Sequence, residues 1–355
     1  MSGIERVCIS VNSVCNLKCT YCYFFLEPEK LPGPKVLSRE DLDLILDNVE
    51  HYGRRPEADK PVKVNFVGSG EPLMEWKSIH GAVSGLRDRR PDHTVRFYTV
   101  TNGLLLSRRV VRQMREIGLG PSVSIDGPEH IHDATRVRHN GRGSHRAAMK
   151  GIEALRAEGM PVAINVTMTR PVVSHLDEVF DFIQEQGYDK VIFGRLVDVP
   201  EEHEVSTAEF YAALRRIAEL KAERGLAHLE VGNLEAYRRA LAGAPDRVCT
   251  MFGSTCGSGF HNIIYMQRDV YPCGRMVGID RWKLGRFDEP LERFPQRMTA
   301  ITGSSGCGER SADEERDPAG VDCLLERERA DYDPEPRAVF VGWMQGQALV
   351  QEGIH

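Results

Sequence analysis

Six stretches of the chain carry apolar residues at strand spacing: Arg6–Val11, Val62–Val67, Val95–Val100, Ser122–Ile125, Val162–Met168 and Val191–Leu196. Between them lie segments whose apolar residues recur at helical spacing, over 38–51, 76–88, 107–117, 144–158 and 174–186. The first is the clearest, with Ser38 at the N-cap position followed by Glu40, Leu42, Leu44, Ile45, Leu46 and Val49. Strands that alternate with helices in this way form βαβ units, and so a parallel sheet. In such α/β folds functional groups gather at the carboxyl ends of the strands. Polar, mostly glycine-bearing loops follow the first four strands: residues 15–22, then Gly68-Ser69-Gly70-Glu71-Pro72, Thr101-Asn102-Gly103 and Asp126-Gly127-Pro128. These four loops are expected on one rim. Two further helices are predicted over about 206–224 and 232–242, followed by a linker at Ala244-Pro245. Gly and Ser punctuate 253–259 and 303–308, residues 309–318 read as a charged loop, and 331–355, with Trp343 and Met344, carry no pattern we interpret.

Composition narrows the class. A length of 355 residues suits two domains, or one barrel with an appendage, and 41% hydrophobic with 28% charged residues excludes a wholly disordered or fibrous chain. Lys and Arg total 46 against 52 acidic residues, a net charge of −6, so the chain has no global electrostatic footprint for nucleic acid; only a local basic patch would change that. No apolar run approaches the ~18–20 residues that span a bilayer, and the opening MSGIERVCISV lacks the regions of a signal peptide. The expectation is a cytoplasmic protein with neither membrane nor nucleic acid as partner.

The nine cysteines change the picture most. They are Cys8, Cys15, Cys19, Cys22, Cys249, Cys256, Cys273, Cys307 and Cys323, two groups with none between Cys22 and Cys249. An odd number in a reducing compartment is a poor disulfide framework, which leaves metal or redox chemistry. Cys15, Cys19 and Cys22 form a C-x3-C-x2-C triplet, for which zinc and iron–sulfur compete. Structural zinc is closed by four Cys or His ligands, and the nearest downstream histidine is His51. Three thiolates on a [4Fe–4S] cube leave the fourth iron open, which is a catalytic arrangement. Cys8, inside the first strand, reads as core.

Cys15-Asn16-Leu17-Lys18-Cys19-Thr20-Tyr21-Cys22 resembles the signature of the radical S-adenosylmethionine (radical SAM) superfamily, C-x3-C-x-aromatic-C. The resemblance implies a partial (β/α)6 TIM-type barrel, which periodicity alone does not separate from an open doubly wound sheet. It implies that Cys15, Cys19 and Cys22 hold a catalytic [4Fe–4S] cluster whose open iron chelates S-adenosylmethionine. Reductive cleavage of that cofactor then gives a 5′-deoxyadenosyl radical that abstracts hydrogen, a task beyond any side chain. Gly68–Glu71 is similar to the family's GGEP motif, with Ser69 where glycine is commoner, so Gly70 and Glu71 are expected at the methionine ammonium. Asn102, Ser124 and Asp126 resemble positions that meet the ribose or methionine ends; Asn-Gly and Asp-Gly are equally ordinary turn dipeptides.

The run Val123-Ser124-Ile125-Asp126-Gly127-Pro128 through His132, Asp133 and Arg136 resembles the peptide-modifying branch with a C-terminal SPASM or shortened twitch domain, related to anaerobic sulfatase-maturating enzymes. There Arg136 would meet cofactor or substrate; the alternative is a hydrogen-bonded loop with Arg136, Arg138, Arg142 and Arg146 solvated. Cys256-Gly257-Ser258-Gly259, the strand-like His261–Met266 and Arg268 to Cys273 look like the start of such a domain, with a hairpin bringing two auxiliary ligands together. Arg268 stands where a glycine is usual. Cys249, Cys256, Cys273, Cys307 and Cys323 are too few for two auxiliary clusters and support one [4Fe–4S] cluster with one thiol to spare. Cys256 and Cys273 are the firmest ligands; either Cys249 joins them with one of Cys307 and Cys323, or those two bind and Cys249 is free. The implied organisation is a barrel over 1–200, a helical linker over 201–248, an auxiliary-cluster domain over 249–330 and a tail over 331–355.

Gly274 follows Cys273 where the sulfatase-maturase relatives carry a basic aspartate, which argues against simple formylglycine formation; Asp269, Asp280, His261 and Arg275 lie near it in sequence. The expected activity is hydrogen abstraction from a ribosomally made precursor peptide, giving a crosslink or an oxidised residue. The alternative is a twitch-type dehydrogenase or epimerase of a small molecule such as an aminocyclitol or sugar. A non-catalytic iron–sulfur or zinc protein is a third reading. Expected partners are a reductase such as flavodoxin or ferredoxin and, with no room before Cys15 for a leader-binding domain, either a separate leader-peptide-binding protein or recognition of the leader by the barrel surface.

Overall fold

The computed structural model describes residues 3–26, 31, 36–56, 60–197, 199–244, 249, 253–303 and 323–351. Pro245, Cys307 and the charged loop 309–318 lie outside them. Among the described residues the strands are β1 (Arg6–Ser10), β2 (Lys63–Phe66), β3 (Arg96–Thr101), β4 (Leu119–Ser124), β5 (Ala163–Met168), β6 (Lys190–Arg195), β7 (Glu230–Val231), β8 (Asn262–Met266), β9 (Asp269–Tyr271) and β10 (Gly285–Arg286). The helices are α1 (Tyr23–Leu26), α2 (Arg39–Gly53), α3 (Trp76–Arg89), α4 (Arg108–Glu116), α5 (Glu129–Asp133), α6 (His145–Ala157), α7 (Arg170–Ser174), α8 (Leu176–Gln186), α9 (Thr207–Glu223), α10 (Gly232–Leu241), α11 (Arg293–Thr302), α12 (Leu324–Arg327) and α13 (Glu335–Gln351).

Two compact units emerge from the contacts. The first comprises Met1–Ser124, Thr135–Val162 and Gly257–Cys307. Its strands run in the order β10-β9-β8-β1-β2-β3-β4. β8, β1, β2, β3 and β4 pair in parallel, and β8-β9-β10 continue antiparallel. Val7, Ile9, Val64, Phe66 and Val123 are fully buried on these central strands, as expected where helices cover a parallel sheet. The second unit comprises Ile125–Ala134, Ala163–Cys256 and Gly308–His355 and holds the parallel strands β5-β6-β7.

The predicted strands and helices are present, with boundaries shifted by a residue or two at most ends. Local chemistry accounts for several of them. Ser38 accepts the Asp41 amide at 3.1 Å while the Asp41 carboxylate accepts the Ser38 amide at 3.3 Å, a capping box that starts α2. Ser206 and Glu209 do the same for α9. α8 stops at Gly187, whose φ of 62° is open to glycine. β4 starts three residues before the predicted Ser122, because pairing of Leu119–Val123 with Phe97–Thr101 overrides the turn-like Gly120-Pro121. The uninterpreted C-terminal stretch contains α13, where Phe340 packs against Tyr211 and Tyr237 of the same unit, with ring centroids 5.5 and 5.0 Å apart. No described helix is long and apolar enough to cross a membrane.

Candidate active site

The triplet follows β1 and is held by a segment more than a hundred residues away. Lys18 N–H donates to the Val137 carbonyl at 2.8 Å and Thr20 N–H to the Thr135 carbonyl at 3.0 Å, and the His139 imidazole meets the Cys15 carbonyl at 2.9 Å. The loop then closes with Cys22 N–H on the Cys19 carbonyl at 3.1 Å and enters α1. All three thiols are half-buried. The Cys15 sulfur accepts the Leu17 amide at 3.4 Å and lies 3.8 Å from Asn102 Nδ2. Burial pushes the Cys15 thiol up to about 11, opposed by the Leu17 amide and reinforced by Glu71 and Cys22. Burial also raises Cys22, opposed by the amides of Phe25 and Phe24 and by Arg136.

The loop after β2 is tied to the same place. Gly68 (φ 142°) packs on Ser10, and a Cβ at Gly70 would run into Asn12 Oδ1 and the Val14 backbone, so no other residue fits there. Ser69 earns its departure from glycine: its hydroxyl donates to the Asn12 carbonyl at 3.1 Å, and its amide donates to Ser10 Oγ at 3.2 Å. The buried Glu71 carboxylate accepts the Thr101 hydroxyl at 2.5 Å, the Leu73 amide at 3.2 Å and the Asn102 amide at 2.8 Å, linking the ends of β2 and β3. Burial raises its pKa, with those three donors and Arg136 pulling it down. Asn102 in turn donates to Asn16 Oδ1 at 2.7 Å beside Cys15. The structure therefore brings Cys15, Glu71 and Asn102 together as one bonded network, with Gly70 packed beside it against Asn12 and Val14. Asn12, Asn16, Thr101, Thr135 and His139 belong to it as well, and nothing in local spacing marks them.

Arg136 is only 7% exposed, its guanidinium carbon 5.6 Å from the Tyr21 ring centroid, so the reading of a solvated Arg136 is corrected. Arg142 and Arg146 are exposed as expected, and Arg138 is half-buried. Ser124 ends β4 half-buried. Asp126, in the second unit, is fully buried; its Oδ1 accepts the Thr167 amide at 2.7 Å and its own amide donates to His132 Nδ1 at 3.3 Å. That carboxylate braces a loop, whichever other group it meets.

The C-terminal cysteines fall on separate elements. Cys273, half-buried, follows the β8–β9 hairpin of the first unit, whose turn has Gln267 at φ 51°. Arg268 is not idle there: its guanidinium lies 3.0 Å from Asp41 and stacks over Phe287. In the second unit Cys256 is buried, Cys323 is buried at the start of α12, and Cys249 is half-buried with its carbonyl accepting the Gly253 amide at 2.7 Å. A Cβ at Gly274 would lie 3.1 Å from the Tyr23 hydroxyl. Asp269 is taken by Lys283 at 2.9 Å, and the buried His261 contacts the Gly3 carbonyl at 3.2 Å. Cys8 contacts the cluster of Ile264, Met266, Tyr271 and Val277, and so serves the core.

Among the described residues no three His, Cys, Asp or Glu converge closely enough to hold a single metal ion. The donor set at the triplet, three thiols on one loop, fits an iron–sulfur cube in which each thiolate takes a different iron. Amide donors aimed at the Cys15 and Cys22 sulfurs also fit cluster-bound thiolates, whose charge such bonds stabilise.

The model of the family described as "Radical SAM superfamily" matches residues 9–192. An uncharacterized protein of Methanocaldococcus jannaschii is 26% identical over 203 residues, 57% of this chain and 66% of that protein. A serine-type anaerobic sulfatase-maturating enzyme of Klebsiella aerogenes is 26% identical over 292 residues, 79% of this chain and 68% of the enzyme. The chain thus spans about two thirds of the length of these relatives. Among solved structures, native anSMEcpe with bound AdoMet and Cp18Cys peptide aligns with a TM-score of 0.72 and 17% identity, covering 96% of this chain and 99% of that one. At that identity the likeness is one of fold, and it bears out the α/β partial-barrel architecture expected from the sequence.

Proposed function

We propose, for a chain that belongs to the radical SAM superfamily, that Cys15, Cys19 and Cys22 hold the family's [4Fe–4S] cluster and that the enzyme modifies a peptide. The observation that carries the first part is the triplet itself: half-buried thiols on one loop, two of them met by amide donors. When bound, the cluster and S-adenosylmethionine supply a 5′-deoxyadenosyl radical able to take hydrogen from unactivated carbon.

The chain's own residues would prepare that site. Glu71 fixes Thr101 and Asn102 against the loop after β2, and Asn102 reaches from there to Asn16 and the Cys15 sulfur. The close approach at Gly70 seats the loop after β2 against Asn12 and the Val14 backbone, beside Cys15. Arg136 brings a buried positive charge that opposes the burial-driven rise in the pKa of both Glu71 and Cys22. Ser124 and Asp126 are proposed at the nucleoside end, and Cys256 and Cys273 with two of Cys249, Cys307 and Cys323 as ligands of one auxiliary [4Fe–4S] cluster.

Support for a peptide substrate comes from the extent of likeness to the Klebsiella sulfatase-maturating enzyme, whose 292 aligned residues run past the radical SAM region. With glycine at 274, the proposed product is a crosslinked or oxidised residue rather than formylglycine. Anaerobic reconstitution tests the reading. Wild type should bind about eight irons and form 5′-deoxyadenosine on reduction; the Cys15→Ala/Cys19→Ala/Cys22→Ala variant should keep about four and form none. Zinc without nucleoside would overturn it. Loss of two hydrogens from a supplied sugar alcohol, with peptides untouched, would replace the peptide by a small molecule.

A further inference from the structure

Among the ion pairs of the described residues, that of Arg195 and Glu326 in the second unit is the best shielded from water. Arg195 Nη1 lies 2.7 Å from Glu326 Oε1, with side chains 7% and 12% exposed, whereas the other pairs keep at least one partner in solvent. Arg195 ends β6 on the face that carries Val191 and Phe193, both fully buried, so a guanidinium stands where the strand pattern calls for an apolar side chain. Its Nη2 donates to the Thr207 hydroxyl at 2.7 Å, and its guanidinium carbon lies 5.5 Å from the Phe210 ring centroid, so α9 fixes its direction. Taking two charges out of water offsets most of what their attraction gains, so such a pair is weak evidence for stability. Its best-attested use is to fix the register of the segments it joins.

The segment joined to β6 in this way is α12. It has four residues, too few to hold a helix by its own hydrogen bonds, and none of them is buried: Leu324 and Leu325 are half-buried and Arg327 is exposed. The buried residue is Cys323 just before it, 7% exposed, whose carbonyl accepts the Arg327 amide at 3.0 Å. Glu326 follows Cys323 by about one helical turn, so whatever fixes Glu326 also fixes the thiol. Cys256, also buried in this unit, is held by other means: Arg337 of α13 donates to the carbonyl of Ser254, just before it in the chain, at 3.0 Å.

We propose that the Arg195–Glu326 pair is a clamp that sets the Cys323 thiol in place as a ligand of the auxiliary [4Fe–4S] cluster, which makes Arg195 and Glu326 positioning residues of that centre; the inference rests on the reading that the C-terminal cysteines hold such a cluster. The donor set fits: Cys256 and Cys323 are buried thiols of one unit, and thiolate is the ligand an iron–sulfur cluster requires. Cys323 then belongs to the set, and Cys249 and Cys307 compete for the place that remains beside Cys256 and Cys273. Without the guanidinium the Glu326 carboxylate has to regain water, and α12 moves out with it, taking Cys323 along.

The test starts from the Cys15→Ala/Cys19→Ala/Cys22→Ala protein, in which the auxiliary cluster is the one that remains, and adds Arg195→Met or Glu326→Ala. In the cluster-free form, iodoacetamide should alkylate Cys323 about tenfold or more faster in either variant, while Cys256 keeps its rate in the starting protein. Arg195→Lys, which keeps the charge, should recover part of the protection. No change at Cys323, or Cys256 and Cys323 exposed together, would overturn the clamp. In the reconstituted form, either variant should lose iron to a chelator about tenfold faster, and Arg195→Met should add nothing in the Cys323→Ala background, because it acts through that thiol. An additive effect would make the pair a structural contact only and overturn the proposal. Iron held as firmly by Cys323→Ala as by the starting protein overturns the positioning inference alone; no iron in the starting protein itself overturns the auxiliary-cluster reading, and the inference with it.

Discussion

The two groups of cysteines are held in opposite ways. Cys15, Cys19 and Cys22 share one eight-residue loop, and that loop is cross-braced by Asn102, His139 and the backbone of 135–137. Cys249, Cys256, Cys273 and Cys323 are strung over loops, a hairpin end and a helix start, with the carbonyls of Cys249, Cys273 and Cys323 bonded within their own segments. A contiguous loop loses little chain entropy when its thiols converge, whereas thiols far apart in sequence need the surrounding fold to bring them to one site. The first arrangement suits a centre that must keep one position open for a cofactor.

The largest effects should separate the groups by metal content. Cys19→Ala should abolish 5′-deoxyadenosine and remove about four irons, while Cys273→Ala should remove about four irons yet leave nucleoside formation on reduction. Equal loss of all iron from both variants would break the contrast, because the two centres would then be one. Next in size, Gly70→Ala should destabilise the rim by about 1–3 kcal/mol in a urea titration, since the new Cβ has no space between Asn12 and Val14. Asn102→Ala removes the link from β3 to Asn16 and Cys15 and should cost about 1 kcal/mol, with the reconstituted cluster losing iron faster to a chelator.

The smallest effect concerns the C-terminal side of the first unit. Arg297 bonds Glu289 at 2.6 and 2.9 Å, and this guanidinium holds the Glu289 carboxyl at about 2 against an ordinary 4.5. A carboxyl whose folded pKa is depressed binds fewer protons folded than unfolded, so its stabilisation is complete above about pH 4.5 and is lost as pH falls towards 2. Arg297 is 41% exposed, so screening limits the pair to less than about 1 kcal/mol. The melting temperatures of wild type and Glu289→Gln should therefore differ at pH 6 and converge as pH falls towards 2.

Strand and helix periodicity, the capping Ser38 and the triplet were legible in the chain because each is local: a pattern of period two or 3.6, a hydroxyl three residues from an amide, three thiols within eight positions. Gly70 and Glu71 were legible as a motif, though the burden carried by Glu71, bonded to both Thr101 and Asn102, was not. Arg136 looked like its exposed neighbours Arg142 and Arg146, since charge alone does not say which arginine turns inward over Tyr21. Arg268 looked like a flaw in a turn until its partner Asp41, 227 residues away in sequence, came into contact with it. The sequence by itself thus determined the elements, the order in which they follow and the chemistry of the triplet. Tertiary structure alone decided which polar groups brace that chemistry, because hydrogen bonds such as those of Asn102 and His139 to Cys15 join residues 87 and 124 positions apart, and no local pattern encodes them.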